Sequence, residues 1–297
     1  MRPTVDDSKS ESSGVVERSL ETVIGLATLP EVALEIIRLA NDDEATADDF
    51  CQIVRCDPAL CVRVLKVVNS AFYGLSRQIE SISQAVVLLG ATAIKNIAIA
   101  SSVHKLFVSG RKTAAFDPTE LWLHSVAVAT ASREIAQRTK MRRPEDAFLA
   151  GLIHDVGILI ELQACGRQFV QVVERVDADP DVAFRQVERE LLGASHEAFG
   201  AALCRRWSFP RHLEQVAAHH HEPDRVSDDE RTLPAIVHVA DWLSAKAELG
   251  YTRTVEVEVP HPAALDHLKL SVDELDALLG ELPLAVAASR DLFSRPA

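Results

Sequence analysis

The chain has few cysteines, and their arrangement does not suggest a disulfide framework. They are Cys51, Cys56, Cys61, Cys165 and Cys204. Their number is odd and no Cys-x-x-Cys pair occurs, whereas a disulfide-stapled fold requires an even set of closely spaced cysteines. We therefore predict five reduced thiols in a cytoplasmic protein.

The sequence also lacks a secretion signal and an excess of basic residues. The first 19 residues are polar, and we expect no apolar run long enough to span a bilayer. The chain has 31 basic and 44 acidic residues, so its net charge is -13. This charge disfavours broad attraction to nucleic acid or an anionic membrane. The sequence thus predicts that neither nucleic acid nor a membrane is a partner. It also predicts a disordered tail over residues 1–19.

Helical periodicity dominates the rest of the chain. In "DPALCVRVLKVVNS", Asp57 is a candidate N-cap before Pro58, and Leu60, Val64 and Val68 recur every four residues. The only alternating stretch, "TVEVEVP" at 254–260, predicts either a short strand or an extended arm. The fold class is therefore predicted to be all-α.

A polar, turn-prone stretch at 108–120 divides the helical pattern into two parts. We predict a first helical lobe over residues 20–112 and a second over residues 113–295. Near the end of the second part, Ser271 and Glu274 form a candidate capping box, and Gly280 is a candidate helix stop.

The stretch "GLIHDVGILI" (151–160) places His154 and Asp155 inside an otherwise apolar run. Burial of an ionisable pair is unfavourable unless other groups compensate for the lost hydration. Either the pair holds a metal ion, or it forms an internal hydrogen-bonded pair that fixes helix packing. The residues alone leave both interpretations open.

Further histidines and an aspartate follow in helical contexts, and imidazole and carboxylate ligands together suit manganese, iron, zinc or magnesium. The candidate metal ligands are His124, His154, Asp155, His196, His220, His221 and Asp241. Some of them also have a simpler interpretation: His124 as a core histidine, and His196 as a solvent-facing residue of a first helical turn. Because three consecutive residues cannot share one helix face, we expect at least one of the histidines at 219–221 to lie outside the site.

The order of these residues resembles the HD superfamily of metal-dependent phosphohydrolases. His124, His154, Asp155 and Asp241 match the four basic metal positions of that superfamily. His196, together with His220 or His221, matches the extra histidines of its HD-GYP phosphodiesterase branch.

The first lobe narrows the resemblance to the HDOD domain, the HD-related output domain of bacterial signalling proteins. The stretches "DPALCVRVLKVVNSAFYG" (57–74) and "SISQAVVLLG" (81–90) carry it, together with "AGLIHDVGIL" and "HHHEPD" in the second lobe. The resemblance runs from about residue 29 to 223 and less distinctly to Asp241. It implies a two-lobed helical fold with an HD-like second lobe, and a regulatory role without catalysis.

The chain also departs from the catalytic branch. Ile158 stands where the HD-GYP enzymes usually carry a lysine, and no Gly-Tyr-Pro follows "HHHEPD". The preferred prediction is a stand-alone signalling module that binds other signalling proteins or a nucleotide second messenger, with no assigned catalytic residue. The alternative is an HD-type metal-dependent phosphohydrolase acting on a nucleotide or a cyclic dinucleotide.

Overall fold

The computed structural model describes residues 5–23, 31–42, 44–108, 112–179 and 181–289. The helices of the N-terminal part are α1 (Val5–Thr22), α2 (Glu31–Ala40), α3 (Ala47–Cys56), α4 (Pro58–Val68), α5 (Ile82–Leu89) and α6 (Ala91–Val108). Those of the C-terminal part are α7 (Pro118–Arg138), α8 (Pro144–Ile153), α9 (Val156–Ile160), α10 (Gly166–Ala178), α11 (Phe184–Leu192), α12 (His196–Arg206), α13 (Arg211–His219), α14 (Thr232–Lys246), α15 (Pro262–Leu268) and α16 (Val272–Ser289). The described residues contain no strand, so the all-α prediction is confirmed, and 254–260 is irregular, with a turn at Thr254 and a bend at residues 258–259.

Helices α2–α6 pack on one another, as do α7–α16, and α6 joins the two groups by packing against α7 and α8. We call these groups the first and second lobes. The exact limits of 20–112 and 113–295 stay a prediction, and residues 290–295 lie outside the described residues. All five cysteines are free thiols.

Several helix ends follow the signals in the sequence. Asp57 caps α4 by accepting a hydrogen bond from the Leu60 N–H, and Ser271 forms a capping box with Glu274. The predicted stop at Gly280 is wrong, because α16 continues through it to Ser289. Apolar side chains at 278, 282 and 286 keep that helix packed against the core beyond the glycine.

The predicted disordered tail at residues 1–19 is also corrected by the structure. Residues from Val5 onward form α1, while residues 1–4 lie outside the described part. Val16 and Leu20 of α1 and Val23, the residue after its end, are buried and form a narrow apolar stripe. This stripe packs against α12 and the π-helical turn Glu161–Cys165, so α1 contacts the second lobe.

The helical run Pro144–Ala178 forms the centre of the second lobe. By length and composition it is apolar enough to cross a membrane, contrary to the expectation that no such run exists. However, 83% of its most apolar window is buried inside the protein, which is typical of a core helix. The run is interrupted by a turn at His154–Asp155 and by the π-helical turn that follows α9.

A polar contact between the lobes fixes the start of α8. The Tyr73 hydroxyl donates to Glu145 Oε2 at 3.1 Å, and Arg133 Nε donates to Glu145 Oε1 at 2.8 Å. Asn96 Nδ2 donates to the Glu145 carbonyl at 2.9 Å. Because α8 ends immediately before His154, this contact anchors the helix that delivers the His-Asp pair.

Candidate metal centre

The His-Asp pair lies in the short turn between α8 and α9. Asp155 has φ -96° and ψ 16°, so the backbone departs from regular helix geometry at this residue. Gly157 follows, and a Cβ there would lie 2.0 Å from the His196 carbonyl oxygen. Only glycine therefore allows α9 to approach the first residue of α12 this closely, which brings Asp155 next to His196.

The structure brings all seven predicted ligands together in one buried cluster. Their exposed fractions range from 0% to 9%. We define the first set as His124, His154, Asp155 and Asp241. We define the second set as Asp155, His196, His220 and His221, whose ligand atoms all lie within 4.8 Å of one another. Asp155 belongs to both sets.

In the first set, two histidines face two carboxylates. His124 Nε2 lies 2.9 Å from Asp241 Oδ1, and His154 Nε2 lies 3.7 Å from the same oxygen. His154 Nε2 is also 3.2 Å from Asp155 Oδ2. The Nε2 atoms of both imidazoles therefore face carboxylate oxygens.

In the second set, three imidazoles surround the other oxygen of Asp155. The Nε2 atoms of His196 and His220 each lie 3.4 Å from Asp155 Oδ1. His196 Nε2 also lies 3.1 Å from His221 Nε2. The two oxygens of Asp155 thus point to different groups of imidazoles, as expected of a carboxylate that bridges two ions.

Four buried polar atoms of the cluster have no hydrogen-bond partner. They are both carboxylate oxygens of Asp155 and the Nε2 atoms of His154 and His220. An unsatisfied buried polar group costs about 1–3 kcal/mol, and such groups are rare in folded proteins. His154 Nε2 and Asp155 Oδ2 lie within ion-pair distance, at 3.2 Å, but this contact leaves all four atoms without a well-formed hydrogen bond, whereas coordinated cations would satisfy them.

Three of the five ligand histidines are oriented from their far side by backbone carbonyls. The Nδ1 atoms contact the carbonyl oxygens of Leu249 (from His124, 3.3 Å), Gly151 (from His154, 2.7 Å) and Val216 (from His220, 3.1 Å). A proton on Nδ1 donates to the carbonyl and leaves the Nε2 lone pair free for a metal ion. The nitrogen and oxygen donor set therefore fits a divalent cation such as Mn, Fe, Zn or Mg, and nothing in the geometry selects one of them.

The charges within the cluster are strongly coupled. Burial opposes ionisation of Asp155, but His154, His220 and His196 outweigh it and hold the pKa of this carboxyl well below its usual range. Burial likewise opposes protonation of His196, but Glu188 and Asp155 raise its pKa to about 10. A cation bound at the second set must displace a proton from His196, so its binding is expected to strengthen as the pH rises.

The end of α13 explains how two consecutive histidines reach the site. The helix ends at His219, and the chain then turns, so His220 and His221 are not held to one helix face. His219 is only partly buried and belongs to neither ligand set. The structure thus separates His219 from the other two histidines, as expected from their consecutive positions.

Two residues that support the site were not predicted from the sequence. Glu188 contacts His196 Nδ1 at 2.9 Å, and His238 Nδ1 donates to the His220 carbonyl at 2.8 Å. His238 lies three residues before Asp241, one helical turn away on α14, and this spacing is a signal that could have identified it. Glu188 carries no such signal, because only the packing of α11 against the start of α12 brings it to His196.

Comparison with known proteins gives one family and one recurrent fold. The profile of the HDOD domain family matches residues 26–223. An HDOD domain protein of unknown function from Geobacter sulfurreducens has a TM-score of 0.81 at 28% identity, covering 97% of this chain and 99% of its own. A provisionally named signal transduction protein from Marinobacter aquaeolei VT8 shares the fold, with a TM-score of 0.78 at 21% identity, covering 97% of this chain and 66% of its own.

Among curated proteins, Ribonuclease Y of Thermus thermophilus is 28% identical over 172 residues, which is 57% of this chain and 23% of that protein. An uncharacterized protein of Treponema pallidum is 22% identical over 81% of this chain. The chain spans 49% and 23% of the lengths of these two relatives.

Proposed function

The chain belongs to the HDOD domain family, and from that premise we propose that it is a signalling module that holds a two-metal centre without catalysing a reaction. The observation that carries the proposal is Asp155, whose two buried oxygens lack hydrogen-bond partners and face different imidazoles. The metal ions would hold α7, α8, α12 and α14 together, so the state of the centre would affect the shape of the whole second lobe.

Each ion would have its own ligands and would share Asp155. The first would be held by His124, His154, Asp241 and Asp155 Oδ2. The second would be held by His196, His220, His221 and Asp155 Oδ1. Bound divalent cations supply positive charge to a buried carboxylate and, in hydrolases, polarise phosphoryl oxygens.

Two observations support a regulatory role over hydrolysis. The seven ligands are at most 9% exposed, so ions held by them would be shielded from solvent and from a bulky substrate. Ile158 is fully buried and apolar where the hydrolytic relatives carry a cation. Phosphoryl transfer spreads negative charge over several oxygens, and this chain places no lysine at that position to stabilise it.

The partners we propose are other signalling proteins or a nucleotide second messenger, encountered in the cytoplasm. The net charge of -13 argues against nucleic acid and membranes as partners. The match to Ribonuclease Y covers 23% of that protein, so we do not extend its named activity to this chain.

The alternative function is an HD-type metal-dependent phosphohydrolase acting on a nucleotide or a cyclic dinucleotide. The complete ligand set is the observation that favours it, since a protein that had lost hydrolysis would not need to retain every ligand for that purpose. Under this alternative, the second lobe would have to open to admit a substrate to the buried ions.

Metal content and turnover measured on one preparation test the proposal. We expect the purified chain to contain up to two equivalents of divalent metal by elemental analysis. We expect no measurable hydrolysis of nucleotides, cyclic dinucleotides or a generic phosphodiester in the presence of manganese. The matched control is His154→Ala, which should lower the metal content.

Turnover that His154→Ala abolishes would replace the regulatory proposal with the enzymatic alternative. A wild-type chain that takes up no metal would contradict the proposed metal centre.

A further inference from the structure

His196 is held differently from the other imidazoles of the centre. Glu188, on α11, is fully buried and places its two carboxylate oxygens 2.9 and 3.0 Å from His196 Nδ1. Glu188 Oε2 also accepts a hydrogen bond from the backbone N–H of His196 at 3.2 Å. One carboxylate thus fixes both the ring and the backbone at the first residue of α12.

This carboxylate compensates for a shortage of negative charge in the second set. Among its own members the second set has three imidazoles and one carboxylate, Asp155, whereas the first set also contains Asp241, which lies within 4.8 Å of His220. A carboxylate on the far nitrogen of an imidazole makes the metal-facing nitrogen a stronger donor than a backbone carbonyl does. Glu188 therefore places a negative charge next to the second set, whose three histidines carry none.

A second buried carboxyl group, that of Glu161, lies beside Glu188. Glu161, on the π-helical turn after α9, is fully buried beside Glu188. Burial and the Glu188 carboxylate raise the pKa of Glu161 well above its usual range, which favours its neutral form. A neutral carboxyl can lie against Glu188 without charge repulsion.

We infer that Glu188 is a positioning residue that sets the affinity of the second set, through His196, for a divalent cation. The inference rests on the proposed metal centre and assigns to Glu188 no contact with the ion itself. Glu188 is expected to affect the second set alone, because its contacts lead to His196 and not to His124, His154 or Asp241.

Calorimetric titration of the metal-free full chain with Mn²⁺ tests this inference. In a His124→Ala background, where the second set is intact, Glu188→Gln should weaken Mn²⁺ binding by about 10- to 100-fold. Glutamine keeps the size and an oxygen acceptor, so the variant removes charge with little change in shape. In a His221→Ala background, where the first set is intact, the same substitution should leave the affinity unchanged.

The matched control is Glu190→Gln, on the same helix. Glu190 is exposed and pairs with Arg175 at 2.7 Å, so its substitution should not change either affinity. The Co²⁺ absorption spectrum gives a second readout, because loss of the Glu188 charge beside His196 should change the ligand field of the second set alone. The thermal midpoint of each metal-free variant identifies any general loss of folding.

The outcomes separate this inference from the proposed function. If the wild type binds two ions and Glu188→Gln binds both as tightly, the inference is overturned and the proposed centre stands. Equal weakening at both sets would also overturn it, because Glu188 would then act through the fold as a whole. If the wild type binds no Mn²⁺, the proposed centre fails and the inference fails with it.

Discussion

Asp155→Asn is expected to remove both metal ions, because in the proposed centre the two oxygens of this carboxylate serve the two ligand sets. Each bound ion at 100 times its dissociation constant stabilises the folded state by about 2.7 kcal/mol, so two ions contribute roughly 5 kcal/mol. For a chain of this size, that loss corresponds to a fall in the thermal midpoint of roughly 10 °C or more. Thermal unfolding with and without EDTA measures it: EDTA should lower the midpoint of the wild type and leave that of the variant unchanged.

The matched control for this prediction is Asp241→Asn, which removes a ligand of the first set only. It should retain close to one equivalent of metal and about half of the EDTA-sensitive stabilisation. If Asp155→Asn and Asp241→Asn lost the same single equivalent, Asp155 would not bridge two ions.

Gly157→Ala is expected to have the second large effect, through the contact between α9 and α12. The added Cβ would lie 2.0 Å from the His196 carbonyl oxygen and 2.6 Å from the Gly200 backbone nitrogen. Both neighbours are backbone atoms, so rotation of a side chain cannot relieve the clash and the helices must separate. We expect a loss of at least about 3 kcal/mol, the upper end of the usual cost of overpacking, together with weaker metal binding at the second set.

Denaturant unfolding measures this loss, and Gly280→Ala is the control. Gly280 lies inside α16 and a Cβ there meets no heavy atom within 4 Å. Alanine should therefore raise the stability by up to about 1 kcal/mol through helix propensity. A Gly157→Ala variant as stable as the wild type would contradict the close approach of α9 to α12.

The ligands could be predicted from the sequence because residue type and order identify them. His124, His154, Asp155 and Asp241 stand in the order of the HD superfamily, and the structure brings them together as that order implies. The position of His196 as the first residue of α12 did not distinguish a ligand from a solvent-facing residue. Its complete burial is a consequence of the glycine contact with α9, which no local pattern reveals.

The features that the sequence analysis missed depend on packing between distant segments. Val16 and Leu20 of α1 find an apolar surface on the second lobe, but their surroundings in the sequence are polar and resemble a disordered tail. A glutamate such as Glu188 is usually an exposed helix residue, and only the position of α11 makes it a buried partner of His196. A pattern within one helix cannot predict which face another helix will cover.

The most direct test of the two-metal centre is anomalous X-ray scattering from crystals of the full chain grown with Mn²⁺. Two anomalous peaks are expected, one on each side of Asp155, the first beside His124 and Asp241 and the second beside His196 and His221. A single peak, or none near Asp155, would contradict the bridging role of this carboxylate and the proposed centre with it.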